Sequence, residues 1–154
     1  MSFVNYNGIG TGSVSAAHAE IEEGYIFQGG IGNLHTADLI LPCQGLPRIS
    51  IQVQGTNDGD AGTSSTIPSL HGIVYGSIVK GAKLEGTNAV HYFELARMLI
   101  PMNANGSPSN VPAPIYMEFN IDVKYIRLYI ELDNAYIADA TKYGKCYARI
   151  MAAQ

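Results

Sequence analysis

The amino-acid sequence predicts an all-β protein, an antiparallel β-sandwich or jelly roll with long Gly/Pro-rich loops and an extended N-terminal arm. Several short segments alternate strictly between apolar and polar residues, which is the pattern of a half-buried strand. Those segments are rich in β-branched and aromatic residues, as strands are. They are separated by loops that contain many of the 17 Gly and 7 Pro of the 154-residue chain.

The chain begins with a Gly-, Ser- and Asn-rich stretch, residues 1–17, that has little hydrophobic periodicity. We predict an extended arm there and a single β-sandwich domain over residues 18–154. Residues 16–23 fit either a helical turn or a strand, and we assign neither. The glycine-rich run at residues 8–12 lacks a following Lys-Ser/Thr pair, so a phosphate loop is not expected.

The first predicted strands lie in the first half of the chain. A short apolar run, residues 38–42, ends at a proline and fits an edge strand. Residues 48–54 alternate strictly and predict a strand with one buried face. Its apolar side chains are Ile49, Ile51 and Val53, and its polar ones are Ser50, Gln52 and Gln54. Residues 55–65 then form a long polar loop.

Two further strands are predicted in the middle of the chain. Residues 73–79 are apolar on both sides of Gly76, which indicates a strand with a bulge or kink. Residues 90–100 fit a helix or a strand, and the alternation favours a strand that ends at Pro101. Residues 103–114 contain too much Pro, Gly, Ser and Asn for regular structure.

The clearest strand is residues 124–132, where apolar and polar side chains alternate without a break. We predict that its apolar side chains are buried and that Arg127 and Glu131 face solvent or a partner. The apolar set is Ile126, Leu128, Ile130 and Leu132. After a polar turn at residues 133–142, the alternation returns over residues 144–150. The sequence therefore predicts that the chain ends in two neighbouring antiparallel strands.

Composition excludes several classes of function. The net charge of −4 and a pI of about 5.4 argue against direct nucleic-acid binding, which needs clustered Lys and Arg. No apolar stretch approaches the roughly 20 residues that span a bilayer, so a membrane protein is not expected. Because only 14% of the residues are charged, much of the surface must consist of Gly, Ser, Thr, Asn and Tyr or be covered by partner chains. We expect assembly into a homodimer or homotrimer.

No catalytic, cofactor or metal site is predicted. Asn57 to Asp60 supply oxygen ligands that suit Ca²⁺, but the same residues are typical of turns, and we favour a plain loop. Cys43 and Cys146 are too far apart in sequence for a metal or redox pair; a disulfide stays open, and buried free thiols are favoured. The four histidines show no metal or triad spacing. They are His18, His35, His71 and His91.

Aromatic and Arg side chains on the last two strands are the candidate interface. Tyr129 and Tyr147 are predicted to lie on outward faces of adjacent strands, with Arg127 and Arg149 beside them, and such residues are enriched at interfaces. An ordinary solvated sheet face would look the same. The same tyrosines also suit sugar binding, which keeps a carbohydrate-binding module as an alternative. The candidate set is Tyr125, Arg127, Tyr129, Tyr147 and Arg149.

The two closing segments, residues 124–129 and 144–150, resemble the closing hairpin of small tailed-bacteriophage capsid cement, or decoration, proteins. In that family a Lys/Arg-Tyr-Leu/Ile-Arg-Leu-Tyr strand precedes a turn and an Ala-Gly-Lys-Val-x-Ala strand. Residues 49–63 fill the place of the family's upstream Ile-x-Val-Gln strand and its Gly/Thr-rich loop. The resemblance implies a jelly-roll-like sandwich that forms homo-oligomers and binds the major capsid protein, without catalytic or cofactor residues.

The leading hypothesis is therefore a non-enzymatic virion protein, made in the host cytoplasm and placed on the outer surface of the capsid. There it would stabilise the head by binding the lattice of the major capsid protein. The alternative is a carbohydrate-binding β-sandwich module of a phage tail or receptor-binding apparatus.

Overall fold

The protein is a sandwich of two antiparallel β-sheets. The computed structural model describes residues 4–6, 16–43, 45–56, 67–79, 91–103, 111–140 and 142–154. Within these ranges the elements are β1 (Val4–Tyr6), β2 (Ala16–Gln28), β3 (Thr36–Pro42), β4 (Arg48–Thr56), β5 (Ser69–Ser77), β6 (Phe93–Pro101), β7 (Ile115–Asn120), β8 (Tyr125–Leu132), α1 (Asn134–Ile137) and β9 (Tyr143–Ala153).

The strand order is that of a jelly roll. One sheet has five described strands in the order β1-β2-β9-β4-β7, and the other has four in the order β3-β8-β5-β6. The pairing is nested: β2 pairs with β9, β3 with β8, β4 with β7 and β5 with β6, all antiparallel. This is the pattern of a long hairpin rolled into two sheets, and it confirms the predicted fold class.

The core lies between the two sheets and is formed largely by alternate residues of the strands β2 to β9. Side chains alternate between the two faces of a strand, so an apolar-polar alternation buries one face and leaves the other outside. The four apolar side chains predicted to be buried in β8 are at most 2% exposed, which confirms that prediction. Other fully buried side chains include Phe27, Leu39, Leu41, Ile49, Ile51, Leu70 and Ile100.

Each strand predicted from alternation is present. The ambiguous segment at residues 90–100 contains β6, so the strand interpretation is confirmed. The predicted irregularity beside Gly76 is also confirmed, because the register of the β5–β6 pair shifts between Val74 and Tyr75. A Cβ at Gly76 would lie 3.1 Å from the Phe93 ring and 3.2 Å from the Val123 side chain, so these two side chains pack closely over the glycine.

The prediction that the last two strands are neighbours is wrong. β8 pairs with β3 and β5 in the four-stranded sheet, whereas β9 pairs with β2 and β4 in the five-stranded sheet. The reason lies in the connection between them, which contains the short helix α1 and crosses from one sheet to the other. Asp133 caps this helix by accepting a 2.9 Å hydrogen bond from the Ala135 N–H.

Gly29 allows this crossing to pack closely. A Cβ at Gly29 would clash with the backbone carbonyl oxygens of Asp139 and Tyr136. Its own N–H donates to the Lys142 carbonyl at 3.0 Å. The end of β2 therefore holds the backbone of the β8–β9 connection in place.

Only two short parts of the predicted arm lie within the described residues. Val4–Tyr6 form β1 and pair with β2, and β2 itself begins at Ala16. The rest of the arm, including the glycine-rich run at residues 8–12, lies outside the described residues, as does the loop of Asn57 to Asp60.

The two cysteines are buried free thiols, as expected. Burial raises the pKa of Cys43 and of Cys146 to about 12, so both stay protonated at neutral pH. Among the described residues, no helix is long and apolar enough to cross a membrane.

Candidate functional site

The outer face of the five-stranded sheet carries the candidate site. Outward side chains of four neighbouring strands lie in register across this face: Tyr116 is opposite Gln52, Gln52 is opposite Arg149, and Arg149 is opposite Glu20. Directly opposed residues in an antiparallel sheet interact through their side chains. We call these four residues the central row.

Two shallow depressions adjoin each other along the central row. The Tyr116 depression, of about 190 Å³, is lined by Ser50, Gln52, Tyr116, Arg149 and Met151. The Tyr147 depression, of about 180 Å³, is lined by Glu20, Ile21, Gln52, Gln54, Tyr147, Ala148 and Arg149. Gln52 and Arg149 line both, so the two depressions form one continuous groove with a tyrosine at each end.

Tyr116 is held in place by its hydroxyl group while most of its ring stays accessible. The hydroxyl donates a 2.5 Å hydrogen bond to Glu118 Oε1 and lies 3.3 Å from Ser50 Oγ. The residue is nevertheless 60% exposed. An aromatic ring with a fixed orientation and an open surface can pack against a ligand at little cost in side-chain entropy.

Tyr147 at the other end lies against the backbone of β2. The register of the β2–β9 pair shifts between Ile21 and Tyr25, and Gly24 has a positive φ of 76°. A Cβ at Gly24 would lie 2.9 Å from the Tyr147 Cζ atom, so only glycine leaves room for this ring. Tyr147 is 37% exposed. The bulge in β2 therefore helps to shape this end of the groove.

Polar groups with hydrogen-bonding capacity fill the space between the two tyrosines. The Arg149 Nε atom is 3.8 Å from Glu20 Oε2, and the two side chains are 55% and 30% exposed. That distance makes an ion pair but is too long for a hydrogen bond. Gln54, directly opposite Tyr147, donates from Nε2 to the Pro112 carbonyl at 3.0 Å.

The residues predicted as one interface are divided between the two sheets. Tyr147 and Arg149 lie on the outer face of β9 and line the groove. Tyr125, Arg127 and Tyr129 lie on β8, on the outer face of the four-stranded sheet. The structure therefore brings together two of the five candidates, because β8 and β9 do not pair.

Arg127 was expected to face solvent or a partner, but it is only 6% exposed. It donates to Asp38 from Nε at 2.7 Å and from Nη2 at 2.5 Å. Its guanidinium carbon lies 5.6 to 6.0 Å from the ring centroids of Tyr75, Tyr92 and Tyr129. The hydrogen bond to Asp38 raises the pKa of Arg127 further, so the residue is a fully paired structural cation.

Burial also affects two tyrosines of this cluster. It raises the pKa of Tyr92 and of Tyr129, so both phenols stay protonated at physiological pH. The Tyr92 hydroxyl is buried without a hydrogen-bond partner among the described residues.

The histidines do not form a metal site in the part of the chain that the structure describes. There, no three His, Cys, Asp or Glu side chains lie close enough together to hold an ion. His71 Nε2 is 2.9 Å from Asp133 Oδ2, and His35 Nε2 is 3.0 Å from the Gly30 carbonyl oxygen. Both contacts hold connections between strands.

The sequence interpretation missed Tyr116 and gave Gln52 and Glu20 no role. Residues 115–120 read Ile-Tyr-Met-Glu-Phe-Asn and alternate between apolar and polar, which was a usable signal for β7. Alternation assigns a side chain to a face but does not reveal which strand lies beside it. The central row can therefore be recognised only when the order of the strands in the sheet is known.

No family model matches the chain. No curated protein matches it either. Among solved structures, the K1 cleaved adhesin domain of Lys-gingipain from Porphyromonas gingivalis W83 is 15% identical with a TM-score of 0.48, covering 100% of this chain and 99% of that one. The K3 cleaved adhesin domain of the same protein is 12% identical with a TM-score of 0.49, covering 89% and 74%.

A carbohydrate binding module from Cellvibrio mixtus lichenase 5A, solved in complex with cellotriose, is 12% identical with a TM-score of 0.30, covering 99% of this chain and 88% of that one. Sequence identities and TM-scores this low give no information about what this chain binds.

Proposed function

We propose that this protein is a non-catalytic carbohydrate-binding module and that the groove on the five-stranded sheet is its ligand site. The observation that carries the proposal is the pair of adjoining depressions, each with an accessible tyrosine, that share Gln52 and Arg149. A sugar ring has an apolar face of C–H groups and a rim of hydroxyl groups. Aromatic rings pack against the apolar face, and amide, guanidinium and carboxylate groups form hydrogen bonds with the hydroxyl groups.

The separation of the tyrosines suits an oligosaccharide. Tyr116 on β7 and Tyr147 on β9 are separated by β4, and their partners on β4 are Gln52 and Gln54. Two strand spacings across and two residues along the sheet place the two tyrosines roughly 12 Å apart. The groove is open along the sheet surface, so a chain of sugars can extend beyond it.

The carboxylates described on this face are badly placed for glycoside hydrolysis. Glu20 on β2 and Glu118 on β7 are separated by β9 and β4. Three strand spacings across and two residues along the sheet put the Cα atoms of these two residues about 16 Å apart, whereas the paired carboxylates of glycosidases are roughly 5 to 9.5 Å apart. This spacing supports binding without cleavage.

The experiment that tests the proposal is a glycan array with the purified protein, followed by calorimetry on any ligand found. Tyr116→Ala and Tyr147→Ala should each weaken binding about tenfold, because each removes one stacking surface. Phe93→Ala is the matched control, since Phe93 is an aromatic residue that is 41% exposed at the edge of the other sheet. It should leave the affinity unchanged.

Two results would contradict the proposal: no specific glycan on the array, or a glycan whose affinity is the same in both tyrosine variants. Unfolding curves of all three variants confirm that each is folded.

Capsid decoration stays a prediction from the resemblance, with the major capsid protein and a second copy of this chain as its partners. A glycan-binding module binds oligosaccharides as an isolated protein, whereas a decoration protein needs the capsid lattice. Binding to particles in the absence of any glycan ligand would favour decoration.

A further inference from the structure

The two ends of the groove differ in charge. Among the described residues, Arg149 is the one charged side chain that lines the Tyr116 depression; the other lining residues are Ser50, Gln52, Tyr116 and Met151. The Tyr147 depression contains both Arg149 and Glu20, whose charges oppose each other. Among the lining residues, an anionic ligand group therefore meets Arg149 without an opposing carboxylate at the Tyr116 end, whereas Glu20 opposes Arg149 at the Tyr147 end.

The guanidinium of Arg149 has hydrogen-bond donors to spare. Its contact with Glu20 is an ion pair at 3.8 Å, and among the described residues the guanidinium makes no hydrogen bond. Arg97 differs in this respect, because it donates to both carboxylate oxygens of Glu94, at 2.6 and 2.8 Å. An arginine with open donors offers a planar fork that fits a carboxylate with two parallel hydrogen bonds.

The acidic side chain nearest to this end does not occupy the Arg149 donors. Glu118 is opposite Ser50 and is therefore two residues away from the central row. Its Oε1 atom accepts the hydrogen bond from the Tyr116 hydroxyl. Glu118 thus holds the tyrosine ring and does not line the depression itself.

Resting on the proposed function, we infer that the ligand is an acidic oligosaccharide whose carboxylate-bearing sugar occupies the Tyr116 depression. Arg149 binds the carboxylate, Tyr116 and Met151 pack against the ring, and Ser50 and Gln52 hydrogen-bond its hydroxyl groups. The neighbouring sugar, which lies in the Tyr147 depression, is neutral or has its acidic group turned to solvent.

Calorimetry with matched ligands tests this inference. The probes are a uronic acid tetrasaccharide, the same tetrasaccharide with methyl-esterified carboxylates, a sulfated tetrasaccharide and a neutral glucose tetrasaccharide. The wild-type protein should bind the free acid roughly 10- to 100-fold more tightly than the methyl ester, because a hydrogen-bonded charge is lost on esterification. Raising the salt concentration should weaken binding of the free acid and leave binding of the methyl ester unchanged.

Two variants of Arg149 test whether this residue causes the preference for the free acid over the methyl ester. Arg149→Gln should abolish the preference for the acid over the ester. Arg149→Lys should keep part of it, because the charge stays but the planar fork is lost. Arg48→Gln is the matched control: Arg48 is exposed on the same face, four residues along β4 from Gln52, and lines neither depression. That variant should keep the full preference.

Each contrary outcome has one meaning. Equal affinity for acid and ester, or equal losses in Arg48→Gln and Arg149→Gln, overturns the inference while the proposed function stands. A preference for the sulfated probe that depends on Arg149, without one for the uronate, overturns the carboxylate as the recognised group. Binding of none of the four probes, together with an empty glycan array, overturns the proposed function and the inference with it.

Discussion

Arg127 and Arg149 both point away from the sandwich core, yet only Arg149 keeps its guanidinium accessible. Arg127 is enclosed by Asp38 and three tyrosine rings, whereas Arg149 is 55% exposed beside Glu20. A buried ion pair stabilises a protein only while both partners are present, because each charge has lost its hydration. The two arginines therefore have different roles, one in stability and one in binding.

Removal of Asp38 should destabilise the protein. Asp38→Ala leaves the 6% exposed Arg127 without its carboxylate, and we expect a loss of about 2 to 4 kcal/mol in the free energy of unfolding. Urea denaturation followed by circular dichroism measures this loss. Glu94→Ala is the control, because it breaks an equally short pair with Arg97 whose side chains are 66% and 40% exposed. It should cost much less than Asp38→Ala, because both charged groups of the Arg97 pair stay in contact with solvent. Equal losses in the two variants would show that burial of Arg127 does not matter.

At the scale of elements, the connection between β8 and β9 is fixed to both sheets. Asp133 caps α1 and also accepts a 2.9 Å hydrogen bond from His71 on β5, in the four-stranded sheet. At its other end the Lys142 carbonyl accepts from Gly29, which directly follows β2. The crossing that separates β8 from β9 is thus held at both ends.

This connection should make stability depend on pH. The hydrogen bond from the Ala135 N–H, and then the one from His71, lower the pKa of Asp133 below its ordinary value of 3.8. Because the folded-state pKa is lower, the contribution of Asp133 is present above pH 3.8 and is lost as the pH falls through the folded-state value. Wild type should therefore be more stable than Asp133→Asn at pH 6, and the difference should shrink as the pH falls to 3 and below.

Urea denaturation at a series of pH values measures the difference. In a His71→Gln background, the pH-dependent part of the stability difference caused by Asp133→Asn should be smaller but still present, since the hydrogen bond from the Ala135 N–H remains. A difference that stays constant from pH 6 to pH 2 would contradict this account of Asp133.

The sequence predicted strands and their faces well where alternation was strict. Residues 48–54 and 124–132 have the predicted buried faces in β4 and β8. β2 escaped prediction because Glu22, Glu23 and Gly24 interrupt its alternation at the point where the strand is irregular. Such an interruption does not by itself show whether the strand ends there or continues past a bulge, since that depends on pairing with β9.

The candidate site was predicted only in part. Tyr147 and Arg149 were identified on the correct face of β9, but Arg127 and Tyr129 were expected beside them. That expectation assumed that strands adjacent in sequence pair with each other. Asp38, which buries Arg127, is 89 residues away in sequence, so its pairing could not be inferred from spacing.

At the scale of the whole molecule, the jelly-roll order assembles the groove from distant parts of the chain. β4 and β7 pair with each other, and β9 joins them from the C-terminal end, between β4 and β2. Tyr116, Gln52, Arg149 and Glu20 become neighbours only through these pairings. A shift of one residue in the register of any of these strands would turn its contributing side chain towards the core. The groove therefore depends on the complete fold.

The measurement that tests the central claim most directly is an NMR titration of isotopically labelled protein with an oligosaccharide selected on the glycan array. Amide shifts should change along β4, β7 and β9, with the largest changes at Gln52, Tyr116 and Arg149, while the four-stranded sheet stays unchanged. Changes centred on the four-stranded sheet, or confined to loops at the ends of the sandwich, would contradict the assignment of the groove as the binding site.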